Sequence, residues 1–228
     1  MAGMDLRSVD LVAVTSHEMR APLAAIRGFV DVLLRRRDEL TDAEVAEFLE
    51  VLSVQTDRLI RLTDDLVTMS SLDSGNVVVE PERVVLIPAL EALVRDLVGG
   101  DRILIRVADS APATIRTDPL RLGQALTNLL QNALKYSEGQ VVLEVVPDGD
   151  EGVLFSVIDE GVGIAPEELP RVFELFYRTN EGARAAEGSG LGLPITRKLA
   201  EAMGGEVRAS STPGQGSVFG IRLPTMVR

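Results

Sequence analysis

The first third of the chain carries apolar residues at helical spacing in two separate runs. The first run steps by three and four residues alternately, which is the spacing of a heptad seam, and includes one polar member. Its members are Val9, Val12, Ser16, Met19, Leu23, Ile26, Val30 and Leu33. The second run consists of Val45, Phe48, Leu52, Gln55, Leu59, Leu62, Leu66 and Met69. The pattern predicts two long helices, each with a single apolar seam.

The second helix has a recognisable start. Thr41 is followed three residues later by Glu44, which is the capping-box pattern.

Two antiparallel helices with one seam each cannot bury those seams well alone, so we expect a symmetric dimer that forms a four-helix bundle. Periodicity by itself favours a plain coiled-coil stalk, because most heptad helices carry no chemistry.

The rest of the chain mixes short strand patterns with helices. After a linker at residues 70–81 that merges into a strand at 77–79, a strong helix start at Asp118-Pro119 predicts a helix that runs to Tyr136. Further strands are expected at 103–107, 114–116, 141–146 and 153–158, helices at 87–97 and 193–203, and a closing hairpin at 206–223. We predict an α+β two-layer sandwich at residues 73–228, preceded by an all-α helical hairpin domain at residues 1–72.

Composition narrows the class of protein. The 228 residues are 46% hydrophobic, contain no cysteine and carry a formal net charge of −12. The negative charge disfavours binding to nucleic acid and to anionic membranes. The absence of cysteine excludes disulfides and fits a reducing cytoplasm. No uncharged apolar run approaches the ~20 residues that span a bilayer, so we expect these residues to be cytoplasmic and any membrane attachment to lie in an upstream segment.

One histidine stands on the first predicted helix. His17 is the single histidine of the chain and follows the seam residue Ser16, so it is expected on the flank of the bundle. A lone histidine is usually a bland residue, but its neighbours suggest chemistry. Glu18 could accept a hydrogen bond from one ring nitrogen and leave the other free to attack. Pro22 lies inside the helix, where proline costs about 3 kcal/mol, and a simple stalk has no reason to tolerate it.

The run at residues 16–23, SHEMRAPL, resembles the phosphoacceptor box of bacterial sensor histidine kinases, matching seven of eight positions. The resemblance implies that His17 is the phosphorylated nucleophile and that Glu18 helps to activate it. The departure is Ala21, where the family usually has threonine or serine. That hydroxyl is implicated in dephosphorylation of the partner protein, so phosphatase activity is in doubt while autokinase chemistry is not affected.

Four clusters in the second domain carry candidate chemistry. Asn128, Asn132 and Lys135 share one helix face, where neutral oxygens suit magnesium and a lysine can neutralise phosphate. The alternative is an ordinary solvated polar face, although asparagine is a poor helix former.

The second cluster follows a predicted strand and consists of Asp159, Gly161 and Gly163. The aspartate could accept a hydrogen bond from an exocyclic amine such as that of adenine, and the glycines allow the backbone to approach a ligand closely. The alternative is an ordinary turn. The third cluster precedes a predicted helix and consists of Gly188, Gly190 and Gly192. Backbone amides at the start of a helix suit phosphate binding.

The remaining cluster lies between these glycine groups. Phe173 and Phe176 are expected to be core residues, and Arg178 is the candidate for bracing the γ-phosphate, with a plain surface charge as its alternative. The segment at 179–187 is rich in alanine, glycine and charge, which is typical of a lid over a nucleotide.

The order of these clusters resembles the ATPase superfamily shared by DNA gyrase, a heat-shock chaperone, histidine kinases and a mismatch-repair protein. The resemblance implies ATP as the substrate and magnesium held by Asn132, with Asn128 nearby and Lys135 on phosphate. It further implies that Tyr136 flanks the nucleotide, that Asp159 reads adenine, and that Gly188, Gly190 and Gly192 form the lid hinge and phosphate loop. Members that hydrolyse ATP commonly carry glutamate where Asn128 stands, and the absence of that glutamate here fits transfer to a histidine rather than to an activated water.

These observations predict a homodimeric histidine kinase that uses ATP and magnesium to phosphorylate His17 and passes the phosphoryl group to an aspartate of a response-regulator receiver domain. Two alternatives remain. One is an ATP-hydrolysing conformational machine of the same superfamily, and the other is an inactive dimeric scaffold.

Overall fold

A computed structural model of the chain describes residues 6–73, 78–149, 151–179 and 189–226, except for the side chains of residues 6–14, 17 and 73. The chain divides into two compact units, Met1–Met69 and Ser70–Arg228. The first is helical and the second contains every strand of the part that is described.

The helical unit is a hairpin. Helix α1 spans Leu6–Arg35, a short 3₁₀ turn follows at Arg37–Glu39, and helix α2 spans Asp42–Asp73. The predicted capping box at the start of α2 is confirmed. The Thr41 amide donates to the Glu44 carboxylate over 2.8 Å, and the Glu44 amide donates back to the Thr41 hydroxyl over 3.3 Å. These reciprocal bonds satisfy amide groups that the first turn of a helix leaves without partners.

The two helices run antiparallel and bury little. The rings of Phe29 and Phe48 pack with their centroids 5.1 Å apart. Leu62 and Pro22 are buried, but the predicted seam residues Leu23 and Val30 are exposed. Each helix covers only one side of the other. Part of the apolar face of each helix is therefore buried, and part stays exposed to solvent.

The second unit is built on a mixed five-stranded sheet. Its strands are β2 (Ile103–Val107), β4 (Val141–Pro147), β5 (Gly152–Asp159), β6 (Glu206–Thr212) and β7 (Gly216–Pro224). The strand order is β2-β4-β5-β7-β6, with β2 parallel to β4 and every other pair antiparallel. A two-stranded ribbon pairs β1 (Glu82–Val85) with β3 (Thr114–Thr117).

Among the residues that the structure describes, three α-helices complete the unit: α3 (Leu86–Arg95), α4 (Pro119–Tyr136) and α5 (Gly192–Ala202). Along β4, buried residues alternate with half-buried ones, which is the pattern of a sheet covered on one face. The largest buried side chains include Phe155 of β5, Leu126 of α4 and Leu199 of α5. The predicted sequence of a helical hairpin followed by a two-layer α+β domain is therefore confirmed.

Three local expectations need correction. Val78 and Val79 lie in no regular element, and Val77 lies outside the described residues. The strand begins instead at Glu82, because its partner strand aligns Glu82 with Thr117. Phe173 and Phe176, expected in the core, are only half-buried. Phe173 ends a 3₁₀ helix, Leu169–Phe173, and meets the Phe219 ring edge-on with centroids 6.2 Å apart.

No helix within the described ranges has the combination of length and apolar character that crossing a membrane requires.

Candidate functional site

The polar face of α4 forms one wall of the candidate site. Asp118 caps the helix by accepting a hydrogen bond from the Arg121 amide over 3.0 Å, and proline occupies the first helical position. Asn128, Asn132 and Lys135 are half-buried on α4, whereas the intervening apolar residues are buried against the sheet. The amphipathic pattern of the helix thus turns two amides and one ammonium away from the core.

Asn128 joins this helix to the glycine segment before α5. Its side-chain nitrogen donates to the Gly192 carbonyl over 3.2 Å. A Cβ on Gly192 would lie 3.8 Å from Asn128 Cγ, so the two segments are in contact. Within the residues that the structure describes, Asn132 makes no side-chain hydrogen bond, so its amide oxygen is available to a ligand.

Gly190 lies against the end of the phenylalanine segment. The Phe176 amide donates to the Gly190 carbonyl over 3.0 Å, and a Cβ on Gly190 would come within 2.8 Å of the Phe176 backbone. Both residues have left-handed backbones, with φ of 69° at Gly190 and 61° at Phe176. Arg178, two residues after Phe176, is half-buried. Gly188 lies outside the described residues.

Asp159 ends β5 and is buried, with 8% of its surface exposed. Its carboxylate accepts a hydrogen bond from the Gly161 amide over 2.8 Å. Burial raises the pKa of Asp159, and hydrogen bonds from the backbone of Gly161 and Ser217 partly oppose that shift. A buried carboxylate at a strand end is suited to accept hydrogen bonds from a bound amine.

Gly161 connects this carboxylate to the end of α4. A Cβ at this position would overlap the Tyr136 carbonyl and would come within 2.8 Å of the Asp159 carboxylate, so only glycine fits here without movement. Lys135 extends over the neighbouring Tyr136 ring, with its ammonium 4.8 Å from the ring centroid. Asp159, Gly161 and Tyr136 therefore meet at the C-terminal end of α4.

Gly163 anchors the same turn to the hairpin of β6 and β7. It has a φ of 70°, and a Cβ would overlap the Thr212 carbonyl. The next amide, that of Ile164, donates to the Ser211 hydroxyl over 2.8 Å. Gly163 thus fixes the turn that follows Asp159 against the β6–β7 hairpin.

Arg102 also contributes to this end of α4, although sequence reasoning did not single it out. Its guanidinium donates to the carbonyls of Leu134, Ser137 and Gly139. No motif marks the residue. The one available signal is its position directly before the predicted strand at 103–107, which the structure pairs with β4.

The helical unit carries the other predicted residues. The His17 backbone lies in α1, which continues through Pro22, while the His17 side chain lies outside the described part of the chain. The Glu18 carboxylate is 3.8 Å from the Arg58 guanidinium of α2. Ala21 is exposed and Pro22 is buried. His17 and Glu18 therefore belong to one compact unit, and the Asn128, Asp159 and Gly192 cluster belongs to the other.

No group of three or more histidine, cysteine or carboxylate side chains in the described ranges is arranged to hold a metal ion. A metal at α4 would therefore depend on amide oxygens and on oxygens of the bound ligand.

Two family descriptions match the chain, one for each unit. The His Kinase A (phospho-acceptor) domain matches residues 8–75. The histidine kinase-, DNA gyrase B-, and HSP90-like ATPase matches residues 117–226. The first match includes His17, and the second includes α4, Asp159 and the segment before α5.

Individual proteins show the same similarity. The sensor protein TorS of Escherichia coli is 36% identical over 95% of this chain and 24% of its own length. Among solved structures, full-length ShkA in complex with AMPPNP is 31% identical, with a TM-score of 0.67 over 94% of this chain and 45% of ShkA. The mycobacterial sensor histidine kinase MprB is 30% identical, with a TM-score of 0.51 over 64% of this chain and 97% of that one.

The chain spans 23% to 56% of the length of several curated sensor proteins that it matches.

Proposed function

The chain belongs to the bacterial sensor histidine kinases, and from that premise we propose that it phosphorylates its own His17 with ATP and passes the phosphoryl group to an aspartate of a response-regulator receiver domain. We assign the phosphoacceptor role to residues 1–72 and the ATP-binding role to residues 73–228.

One observation carries the proposal: α4 contacts both glycine-containing turns. The Asn128 side chain bonds to Gly192 over 3.2 Å, and the Tyr136 backbone carbonyl lies against Gly161 at the C-terminal end of the helix. A polar helix face bounded by two close-packed glycine segments is suited to an elongated anionic ligand. The similarity to ShkA, which was solved with AMPPNP, supports a nucleotide as that ligand.

Within this site each group has a distinct role. The buried Asp159 carboxylate accepts a hydrogen bond from the exocyclic amine of adenine. Backbone amides at Gly190 and Gly192, beside the N-terminus of α5, bind phosphate oxygens, as Gly188 is expected to do. Lys135 and Arg178 neutralise phosphate charge, and Tyr136 flanks the nucleotide.

Magnesium fits the donor set of α4. Asn132 has an amide oxygen without a partner among the described side chains, and Asn128 uses its nitrogen toward Gly192, which leaves its oxygen as an acceptor. Neutral oxygens together with phosphate oxygens are a ligand set that magnesium accepts. When bound, the ion would neutralise charge on the phosphates, with Asn132 as its protein ligand and Asn128 beside it.

The transfer step is an in-line displacement at phosphorus. A ring nitrogen of His17 forms the new bond to the γ-phosphorus, and the bond to the β,γ-bridging oxygen breaks. The electron pair of that bond leaves with ADP. Glu18 accepts a hydrogen bond, and then the proton, from the other ring nitrogen, so that the phosphorylated ring is neutral. Arg58, 3.8 Å from Glu18, orients that carboxylate.

A second displacement moves the phosphoryl group from His17 to a receiver aspartate. The exposed flank of α1 near His17 is the proposed docking surface. Ala21 supplies no hydroxyl to orient water there, so we propose that the chain acts as a kinase and phosphotransferase with weak or absent phosphatase activity.

Incubation with γ-labelled ATP tests the proposal. The proteins compared are the wild type, His17→Gln and, as a control at the adjacent position, Ser16→Ala. We expect an acid-labile label on the wild type and on Ser16→Ala, and none on His17→Gln. Label retained by His17→Gln, or acid-stable label on the wild type, would contradict the proposal. Phosphate release without labelled protein would favour the ATP-hydrolysing alternative, and absence of nucleotide binding would favour the scaffold.

A further inference from the structure

Arg102 directly precedes β2, the edge strand that pairs with β4. Strand β2 pairs in parallel with β4, and the register sets Ile103 opposite Val141. The residues that precede these two strands are therefore neighbours as well. This arrangement brings Arg102, at the end of the 3₁₀ turn Gly100–Arg102, beside the connection that leads from α4 into β4.

The Arg102 guanidinium uses nearly all of its donors on that connection. Its Nη1 donates to the Leu134 carbonyl over 3.3 Å, its Nη2 donates to the carbonyls of Ser137 and Gly139, and its Nε also donates to Gly139 over 3.2 Å. Arg102 is half-buried, so these bonds are partly shielded from water. A guanidinium spreads five donors over three nitrogen atoms in one plane and can bridge separated carbonyls, whereas the three donors of an ammonium group leave from a single atom.

The contacts fall where α4 most needs them. The last turn of a helix leaves carbonyls without intrahelical donors and carries the negative end of the helix dipole. Of the carbonyls bonded by Arg102, that of Leu134 lies in this last turn and that of Ser137 at the C-cap, so the cation stabilises the end of α4. Tyr136, between the bonded residues Leu134 and Ser137, is held in place from both sides.

The end of α4 in turn sets the position of the turn after β5. The Gly161 backbone lies directly against the Tyr136 carbonyl, and the Gly161 amide donates to Asp159 over 2.8 Å. Movement of the Tyr136 carbonyl would therefore displace the turn that presents the Asp159 carboxylate.

We propose that Arg102 is a positioning residue for nucleotide binding, which fixes the C-terminal end of α4 and through it the placement of Tyr136 and of the turn at Asp159. The inference rests on the proposed function, because the ligand whose binding it tunes is ATP. The Arg102 side chain bonds to the carbonyls of Leu134, Ser137 and Gly139, and to none of the described residues that are assigned to the phosphates.

The test compares Arg102→Met, which keeps most of the apolar stem and removes every side-chain donor, with Arg102→Lys and with Arg106→Met. Arg106 is exposed on β2, the strand that follows Arg102, and makes no side-chain hydrogen bond within the described residues, so it controls for the loss of a positive charge in this region. Two quantities are measured well below the melting temperature of each variant. These are the Kd for ATP by calorimetry and the hydrogen exchange of amides at 134–140 and 159–164.

We expect the Kd of Arg102→Met to rise about tenfold, the scale typical of losing an outer contact that orients a ligand-binding group. Exchange should be faster in both segments, Arg102→Lys should fall between Arg102→Met and the wild type, and Arg106→Met should match the wild type. The kcat of autophosphorylation at saturating ATP should change less than the KM. A purely structural role would lower the melting temperature and leave the Kd unchanged.

An unchanged Kd in folded Arg102→Met, or an equal effect in Arg106→Met, would overturn the inference. If Arg102→Met does not fold, Arg102→Lys gives the same comparison. Wild-type protein that binds ATP without labelling His17 would refute the proposed function and leave this inference standing, whereas wild-type protein that binds no ATP would refute both.

Discussion

The two units of the chain bury their apolar residues in different ways. In the α/β unit, Phe155 and Leu126 are 0% and 1% exposed, as befits a core closed by its own helices and sheet. In the hairpin, Leu49, Ile60 and Val67 of α2 are 54%, 53% and 67% exposed. Exposed apolar residues aligned at helical spacing form the kind of stripe that a partner molecule can cover.

This contrast matches the division of labour that we propose. A unit that binds a nucleotide must hold several groups at fixed distances, and a self-contained core provides that rigidity. The hairpin that carries His17 would instead complete its core by dimerisation, so its stability depends on protein concentration. Each unit should therefore respond differently to the same kind of substitution.

Ile60→Glu should have the largest effect, on the hairpin alone. In a symmetric dimer the change removes two buried side chains and buries two charges, which would weaken association by about 5 kcal/mol. Sedimentation equilibrium should show monomers at concentrations where the wild type is dimeric, while the affinity for ATP stays unchanged. Val54→Glu is the control, because Val54 is equally exposed at 53% but lies about 120° around the helix. A dimer that survives Ile60→Glu, or dissociates equally with Val54→Glu, would contradict the proposed interface.

The next largest effect is the loss of stability when one phenylalanine is truncated in each unit, and it should differ between the two units. Phe155→Ala removes a fully buried ring from the sheet and should lower the free energy of unfolding of the α/β unit by about 4 kcal/mol. Phe48→Ala removes a half-buried ring that packs on Phe29, and should cost the hairpin about half as much. Urea titration followed by hydrogen exchange in each unit measures both values. Equal costs would mean that the hairpin is packed as completely as the sheet.

Much of the fold could be predicted because its determinants are local. Asp118 and Pro119 define the start of α4, and the structure confirms the helix from Pro119 to Tyr136. Thr41 and Glu44 define the start of α2 in the same way. In each case the residues that satisfy the first amides of the helix are within three positions of them, so the sequence pattern contains both partners.

Features that depend on distant partners could not be predicted. The valines at 77–79 look like a strand from their β-branched side chains alone, but β1 begins at Glu82 because β3 pairs with it there. The role of Arg102 is likewise invisible, since its acceptors are more than thirty residues away in sequence and are backbone atoms without any residue signature. The order of the motifs along the chain predicts which helix, strand or turn carries each candidate site residue. It does not predict which other residues each of them contacts.

Asp159→Asn should sharpen the contrast by affecting only the α/β unit. Loss of the charged acceptor should weaken ATP binding by about 2 kcal/mol. Burial raises the pKa of Asp159, so the carboxylate becomes protonated at a higher pH than an ordinary aspartate does. Because the ionised form is the acceptor, wild-type affinity for ATP should fall as the pH falls through that raised pKa. Dimerisation should be unaffected.

Calorimetric titrations at several pH values between about 8 and 5 would measure this dependence. The ATP phosphates titrate identically with both proteins, so the difference between the wild type and Asp159→Asn isolates the carboxyl group. Parallel curves for the two proteins would contradict the assignment of Asp159 as the adenine acceptor.

Thr41→Ala should have the smallest effect, confined to the start of α2. The change removes the hydroxyl that accepts from the Glu44 amide, and cap removal typically costs about 1 kcal/mol. Hydrogen bonds from the Thr41 amide and hydroxyl lower the pKa of Glu44, so their stabilisation exists above the pKa of the unfolded chain and is lost as the pH falls through the lowered value. Thermal unfolding at neutral and acidic pH should show a smaller difference between Thr41→Ala and the wild type in acid, while Thr41→Ser should behave as the wild type. Because the cap lies on the hairpin, a matching loss of stability in the α/β unit would mean that the two units unfold together, and the contrast between them would then hold for packing but not for cooperativity.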